Sequence, residues 1–248
     1  MDIRFKDRLR PHIVKSLQKT KLNRLAHKLY YSYVHGFNTA NDAVLEAQEK
    51  CFEHALSSGV ARSGDYMEFG IFKGYAFWHA QKIAVEQGLD QMRFFGCDSF
   101  AGLPEVQGSD ICKNDTFYEG QYACDKKTVI ENLNSKNVDW TRTHLIEGYF
   151  NESLTAELIE THQLKKIAIA LIDCDLYAST IDVLNFIDPM VQDQTIFMFD
   201  DWNCYDRNDE KGQRKAFREF LEKHPNLKAE PFFEYGAYGQ VFIIGVES

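Results

Sequence analysis

No CxxC pair occurs among the six cysteines, Cys51, Cys97, Cys112, Cys124, Cys174 and Cys204. Neither a zinc ribbon nor a disulfide framework is suggested, and the scattered thiols read as reduced, as in a cytoplasmic protein. No basic run offsets the formal net charge of -9, so phosphate repulsion argues against sequence-independent nucleic-acid binding. No apolar run approaches the about 18 residues that a membrane span needs. The basic, amphipathic stretch MDIRFKDRLRPHIVKSLQKTKLNRL lacks the apolar core of a signal peptide, so no membrane segment is expected. What the chain has is apolar content, 44% of 248 residues, enough for the core of one large α/β domain. A small or sugar-like molecule is the partner this balance suits.

The first sixty residues contain little Gly or Pro, and their apolar positions recur at helical spacing: Ile13, Leu17, Leu25 and Leu29, then Val44, Leu45, Cys51, Phe52 and Leu56. This predicts a helical extension over 1–60 preceding a domain over 61–248. An amphipathic extension of this kind commonly buries its apolar face against a second subunit, so a homodimer is expected. Beyond it, short apolar runs alternate with amphipathic ones. Strands are predicted at 66–69, 93–97, 143–147, 167–172 and 195–199, with helices near 75–87, 127–134, 154–162 and 180–186. Such alternation implies a doubly wound, mostly parallel sheet. After a polar helix over 210–223, strands at 228–234 and 240–246 are joined by a turn too short for a crossover, so the sheet should close with an antiparallel hairpin. That ending resembles the class I methyltransferase fold. The stretch 103–125 has no clear period and reads as a lid, with Phe117, Tyr118 and Tyr122 as apolar walls.

Four carboxylates fall where two adjacent apolar runs end, Asp173 and Asp175 in LIDCDLYAST and Asp200 and Asp201 in TIFMFDDW. Neighbouring parallel strands would bring all four to one rim, where open α/β sheets bind ligands. Crowded carboxylates repel one another unless a cation or hydrogen-bond donors compensate, and an all-oxygen set favours magnesium, calcium or manganese over zinc. The competing assignment makes them caps of the helices that follow, for which one per helix suffices. In EFGIFKG, Gly70 and Gly74 permit a sharp turn into a helix N-terminus. The preceding Glu68 suits a cationic ligand such as S-adenosylmethionine, although glycines end strands in many α/β folds for steric reasons alone. Asp98 closes the next run and can accept from two ribose hydroxyls, or simply serve as a turn residue. Glu147, Gly148 and Tyr149 close the third and can border an adenine, with Tyr149 or Phe150 offering a flat face.

EFGIFKG, DSFAGLPE, EGYFNESL, DCDLYAST and FDDW occur in the order and approximate spacing of the macrocin O-methyltransferase family, metal-dependent S-adenosylmethionine enzymes that tailor sugars. The resemblance covers residues 62–246. It implies a class I methyltransferase fold and cofactor contacts from Glu68, Gly70 and Asp98, with Ser99 beside them. It further implies that Asp173, Asp200 and Asp201 hold magnesium or another hard divalent ion, with Asp173 and Asp175 as the catalytic pair and Asp175 the candidate base. The implied reaction is methyl transfer to a hydroxyl, of which a bound divalent ion stabilises the alkoxide. His144 is an alternative proton acceptor, though an ordinary structural histidine fits that position too. The acceptor the resemblance implies is a small molecule bearing the hydroxyl on a sugar, a sugar or glycosylated natural product; the first sixty residues and the lid depart from the family pattern, so its identity is not carried over. Two other readings stay open, a metal-dependent sugar or nucleotide-sugar hydrolase or transferase using the same carboxylates, and a non-catalytic scaffold.

Overall fold

The computed structural model describes residues 29–31, 36–38, 40–111 and 117–247. The expected helical positions Ile13, Leu17 and Leu25 lie outside them, as does Cys112. Seven strands form one sheet: β1 (Asp65–Phe69), β2 (Phe94–Asp98), β3 (Thr143–Glu147), β4 (Ile167–Ile172), β5 (Thr195–Phe199), β6 (Leu227–Tyr235) and β7 (Gly239–Val246). Their order is β3-β2-β1-β4-β5-β7-β6. The first five are parallel, and the hairpin adds β7 antiparallel to β5 with β6 outside it. The chain runs outward from β1 to β3 and then returns to lay β4 on the other side of β1. The crevice of such a sheet opens at that reversal, between the carboxyl ends of β1 and β4.

The helices are α1 (Asp42–Ser57), α2 (Tyr75–Glu86), α3 (Lys126–Asn134), the single turn α4 (Phe150–Ser153), α5 (Ala156–His162), α6 (Tyr177–Ile187) and α7 (Gly212–Lys223). Asn41 starts α1 by accepting a hydrogen bond from the Ala43 amide through its side chain, the usual remedy for an unpaired first-turn donor. Because strand side chains alternate in direction, β1 sends Tyr66 to one face and Met67 and Phe69 to the other. The first face packs with Phe52 of α1, Phe77 of α2 and Leu133 of α3. The second packs with Val183 and Leu184 of α6 and Phe217 of α7. Within the described part of the expected extension, α1 packs on the sheet, with Phe52 stacked on Tyr66 at 5.8 Å. No described helix is long and apolar enough to cross a membrane.

Candidate active site

The ends of β1 and β4 approach too closely for any side chain but hydrogen at Gly70. A Cβ there would lie 1.8 Å from the Asp173 carbonyl oxygen, and its φ of +92° is one that only glycine adopts without strain. Beyond this contact the strands diverge around a cavity of about 480 Å³, lined from the ends of the five parallel strands and from the loop after β2. Ten of the residues singled out in the sequence reach its wall: Glu68, Gly70, Asp98, Ser99, Gly148, Tyr149, Asp173, Asp175, Asp200 and Asp201. Gly74 and Glu147 do not. Gly74 begins α2 in a left-handed conformation, and a Cβ there would press on Val129 and Leu133 of α3 at 3.3 and 3.2 Å, so this glycine serves helix packing. Glu147 is exposed and pairs with Lys126 at 3.3 Å. His144 stacks on Phe95 at 4.7 Å within β3 and is likewise off the wall.

At the β1 end, Glu68 is buried, accepting a 2.6 Å hydrogen bond from the Tyr66 hydroxyl. Tyr66 accepts in turn from Gln48 of α1 at 2.9 Å. Burial, reinforced by Asp98 and Asp200, pushes the Glu68 carboxyl up to about 8 in spite of the Tyr66 bond. At the β2 end, Asp98 Oδ2 accepts from the Ile71 and Phe72 amides at 2.9 and 3.0 Å, and Oδ1 accepts from Phe100 at 2.7 Å. It thus fastens the turn after β1 while keeping lone pairs free, since each carboxylate oxygen can accept twice. Ser99 donates to the Gly102 carbonyl at 2.7 Å and shapes the loop.

At the β4 and β5 ends, one oxygen from each of Asp173, Asp200 and Asp201 lies within 4.8 Å of the others. Burial raises all three carboxyls, Asp200 to about 7; repulsion from neighbouring carboxylates adds to it at Asp173 and Asp200, whereas hydrogen bonds from Cys204 and Asp175 offset part of it at Asp201. Asp175 sits in a left-handed conformation at φ 60°, its amide donating to Asp201 Oδ2 at 2.9 Å. Burial and the neighbouring Asp201 raise the Asp175 carboxyl well above its ordinary range. The Cys204 thiol donates to Asp201 Oδ1 at 3.3 Å. The Tyr235 hydroxyl is buried beside Asp200, where its hydrogen-bonding to that carboxylate offsets part of the rise, and burial with the charges of Asp200 and Asp173 raises the phenol in turn.

Several contributors have no motif. Gln213 of α7, 1% exposed, accepts from the Asp201 amide at 3.0 Å and donates to the Ile172 carbonyl at 2.8 Å. Asp110, within the expected lid, accepts from the Tyr177 and Ala178 amides at 2.8 and 3.3 Å. Of the expected lid aromatics only Tyr122 lines the cavity; Phe117 packs instead on Tyr205 at 5.7 Å, in a satellite core with Leu103 and Leu176. Tyr122 meets Tyr31 and Phe72 at 5.4 and 5.9 Å, forming an aromatic roof that includes a residue upstream of α1.

The model of the family described as macrocin-O-methyltransferase (TylF) matches residues 9–231. The chain belongs to the macrocin-O-methyltransferase family. Among its relatives, the mycinamicin III 3''-O-methyltransferase of Micromonospora griseorubida is 25% identical over 182 residues, 71% of this chain and 66% of that protein. The demethyldecarbamoylnovobiocin O-methyltransferase of Streptomyces niveus is 26% identical over 185 residues, 67% of this chain and 64% of that one. The chain thus spans just under two thirds of the length of these relatives. Solved folds of the same kind are the O-methyltransferase NovP, with TM-score 0.68, 20% identity and coverage of 82% and 79% of the two chains, and the calicheamicin methyltransferase CalS11, with TM-score 0.66, 22% identity and coverage of 94% and 90%. A mostly parallel seven-stranded sheet closing in an antiparallel hairpin is the architecture this family member shares with them.

Proposed function

We propose that this macrocin-O-methyltransferase family member transfers a methyl group from S-adenosylmethionine to a hydroxyl of a small, sugar-bearing acceptor, with Asp173, Asp200 and Asp201 holding magnesium or another hard divalent ion. The convergence of those three carboxylates on the wall that also carries Glu68 and Asp98 carries the reading. The donor set fits: three carboxylates of raised proton affinity, Asp201 buried and Asp173 and Asp200 partly so, are what a hard cation relieves, and all three converging ligand atoms are oxygens. When bound, such an ion stabilises negative charge on an acceptor oxygen, and S-adenosylmethionine supplies a methyl group carried on a sulfonium.

The chain's own side chains do the rest. Glu68 offers a buried carboxylate to the cationic amino-acid end of the cofactor, and Asp98, whose amide bonds fix the turn after β1, offers its remaining lone pairs to ribose hydroxyls. The loop 148–150 borders the base. Asp175, held by its amide on Asp201, accepts the acceptor's proton on its carboxylate. Leu103, Pro104 and Tyr122 cover the cavity and exclude water. The relatives' names, a mycinamicin 3''-O-methyltransferase and a novobiocin-pathway O-methyltransferase among them, support a glycosylated acceptor.

The test is transfer from isotope-labelled S-adenosylmethionine to a panel of deoxyhexosides, with magnesium and with excess chelator. We expect chelator to stop the reaction, and Asp201→Asn to abolish it while calorimetric binding of S-adenosylhomocysteine stays nearly intact. Full activity in excess chelator would sink the metal role.

A further inference from the structure

Asp182, on the second turn of α6, is a wall residue of the cavity that accepts no hydrogen bond and forms no ion pair among the described residues. It is half-buried, and burial alone raises its carboxyl. An ionised carboxylate can only accept, so this position is short of a donor that the protein does not supply.

Its location says which part of a ligand arrives there. A groove of about 300 Å³ adjoins the cavity, and Phe150, Asn151 and Asp182 line both. Asp182 therefore faces the loop that follows β3. None of the four rim aspartates lines that groove, so Asp182 belongs to the side of the cavity away from the rim where the acceptor hydroxyl must meet the methyl group. With the amino-acid end of the cofactor at Glu68 on β1 and the ribose at Asp98 on β2, the base lies one strand further out, against the loop after β3. The donor that an adenine presents at its edge is the exocyclic amine.

Resting on the proposed methyltransferase reading, we propose that Asp182 recognises the cofactor's base by accepting a hydrogen bond from the adenine 6-amino group, and so sets the preference for an adenosyl over a 6-oxopurine ligand. A 6-oxo base turns a lone pair toward the carboxylate where adenine turns an N–H, and a site built around a hydrogen bond rejects the analogue that cannot make it. An asparagine would reverse the logic, because its amide both accepts and donates.

The experiment is calorimetric binding of S-adenosylhomocysteine and its 6-oxo analogue S-inosylhomocysteine to the wild type, Asp182→Asn and Asp182→Ala, with melting curves to confirm that each variant folds. For the wild type we expect the adenosyl ligand to bind about tenfold or more tightly, the value of one charge-assisted hydrogen bond. Asp182→Asn should bring the two ligands to near parity, chiefly by improving S-inosylhomocysteine, and Asp182→Ala should weaken S-adenosylhomocysteine alone. Discrimination unchanged in both variants would overturn the proposal. A wild type that binds neither ligand would instead remove the cofactor reading on which it rests.

Discussion

Gln213 sets the gap between the two acidic strand ends because an amide can donate and accept at once. Its oxygen takes the Asp201 amide and its nitrogen reaches the Ile172 carbonyl, so the last residue of β4 and the second carboxylate after β5 are tied to one side chain. A glutamate could not donate to Ile172, and an alkyl chain would leave the Asp201 amide buried and unpaired, at about 1–3 kcal/mol, while the Ile172 carbonyl would keep its bond from the Asp200 amide at 3.2 Å. Gln213→Met, close in volume, is therefore expected to lower stability in urea by that order and to weaken magnesium binding more than S-adenosylhomocysteine binding. Equal loss for both ligands would reduce Gln213 to a general support of the fold. Asp98 illustrates the same point from the other side. The sequence suggested a ribose ligand or a turn residue, and the structure shows the turn bonds, which leave lone pairs for the first role. A carboxylate at a strand end can do both jobs.

At the scale of elements, α6 begins without a cap of its own, since Leu176 at its N-cap offers no side-chain acceptor. Asp110 supplies the cap from the segment after β2, and Tyr205 joins it, its hydroxyl 3.4 Å from Asp110 Oδ1 and 3.3 Å from the Asp175 carbonyl. Loss of an N-cap costs about 0.5–2 kcal/mol, and here it also frees the segment after β2 from the loop that carries Asp175. Asp110→Ala should lower the denaturation midpoint accordingly and depress kcat of methyl transfer more than it raises KM for S-adenosylmethionine. Asp110→Asn, which keeps an acceptor, should recover most of both. This long-range cap also explains a boundary that the sequence placed too late. The spacing predicts α6 over 180–186, whereas the helix starts at Tyr177, because the signal that begins it lies in another segment. By contrast, β3, β4 and β5 fall at the predicted 143–147, 167–172 and 195–199, since apolar runs bounded by charged or polar residues are local signals. The turn α4 at Phe150–Ser153 was not predicted, and the helix expected over 154–162 begins at Ala156 after a cap by Thr155. The strand-end acids and Gly70 were legible because each ends an apolar run. Gln213, Asp182 and Tyr31 were not, because a single polar or aromatic residue on a helix or in a loop carries no periodicity.

For the molecule as a whole, the distribution of acid is the controlling fact. The cavity gathers Glu68, Asp98, Asp173, Asp175, Asp200 and Asp201 around a sheet end, and burial raises the carboxyl of every one. The unfolded chain loses these protons near pH 4, while in the folded protein, free of cation and cofactor, burial moves their loss upward, to about 7 at Asp200 and about 8 at Glu68. Across that interval the native state binds more protons than the unfolded state, so stability must fall as pH rises. Asp125, Asp139 and Glu210 are held below their ordinary values and act in the opposite sense, but they are solvent-exposed and their effect is screened. The ligand-free protein should therefore melt at a lower temperature at about pH 8 than at about pH 5.5, against the common pattern in which salt-bridged carboxylates make acid the destabilising direction. Magnesium competes with protons for the same oxygens. It should raise the melting temperature strongly at the higher pH and weakly at the lower, and Asp201→Asn should flatten that difference. Scanning calorimetry at both pH values, with and without magnesium, provides the check. A melting temperature indifferent to pH, shifted equally by magnesium at both, would mean that these carboxylates neither store the protons nor receive the ion.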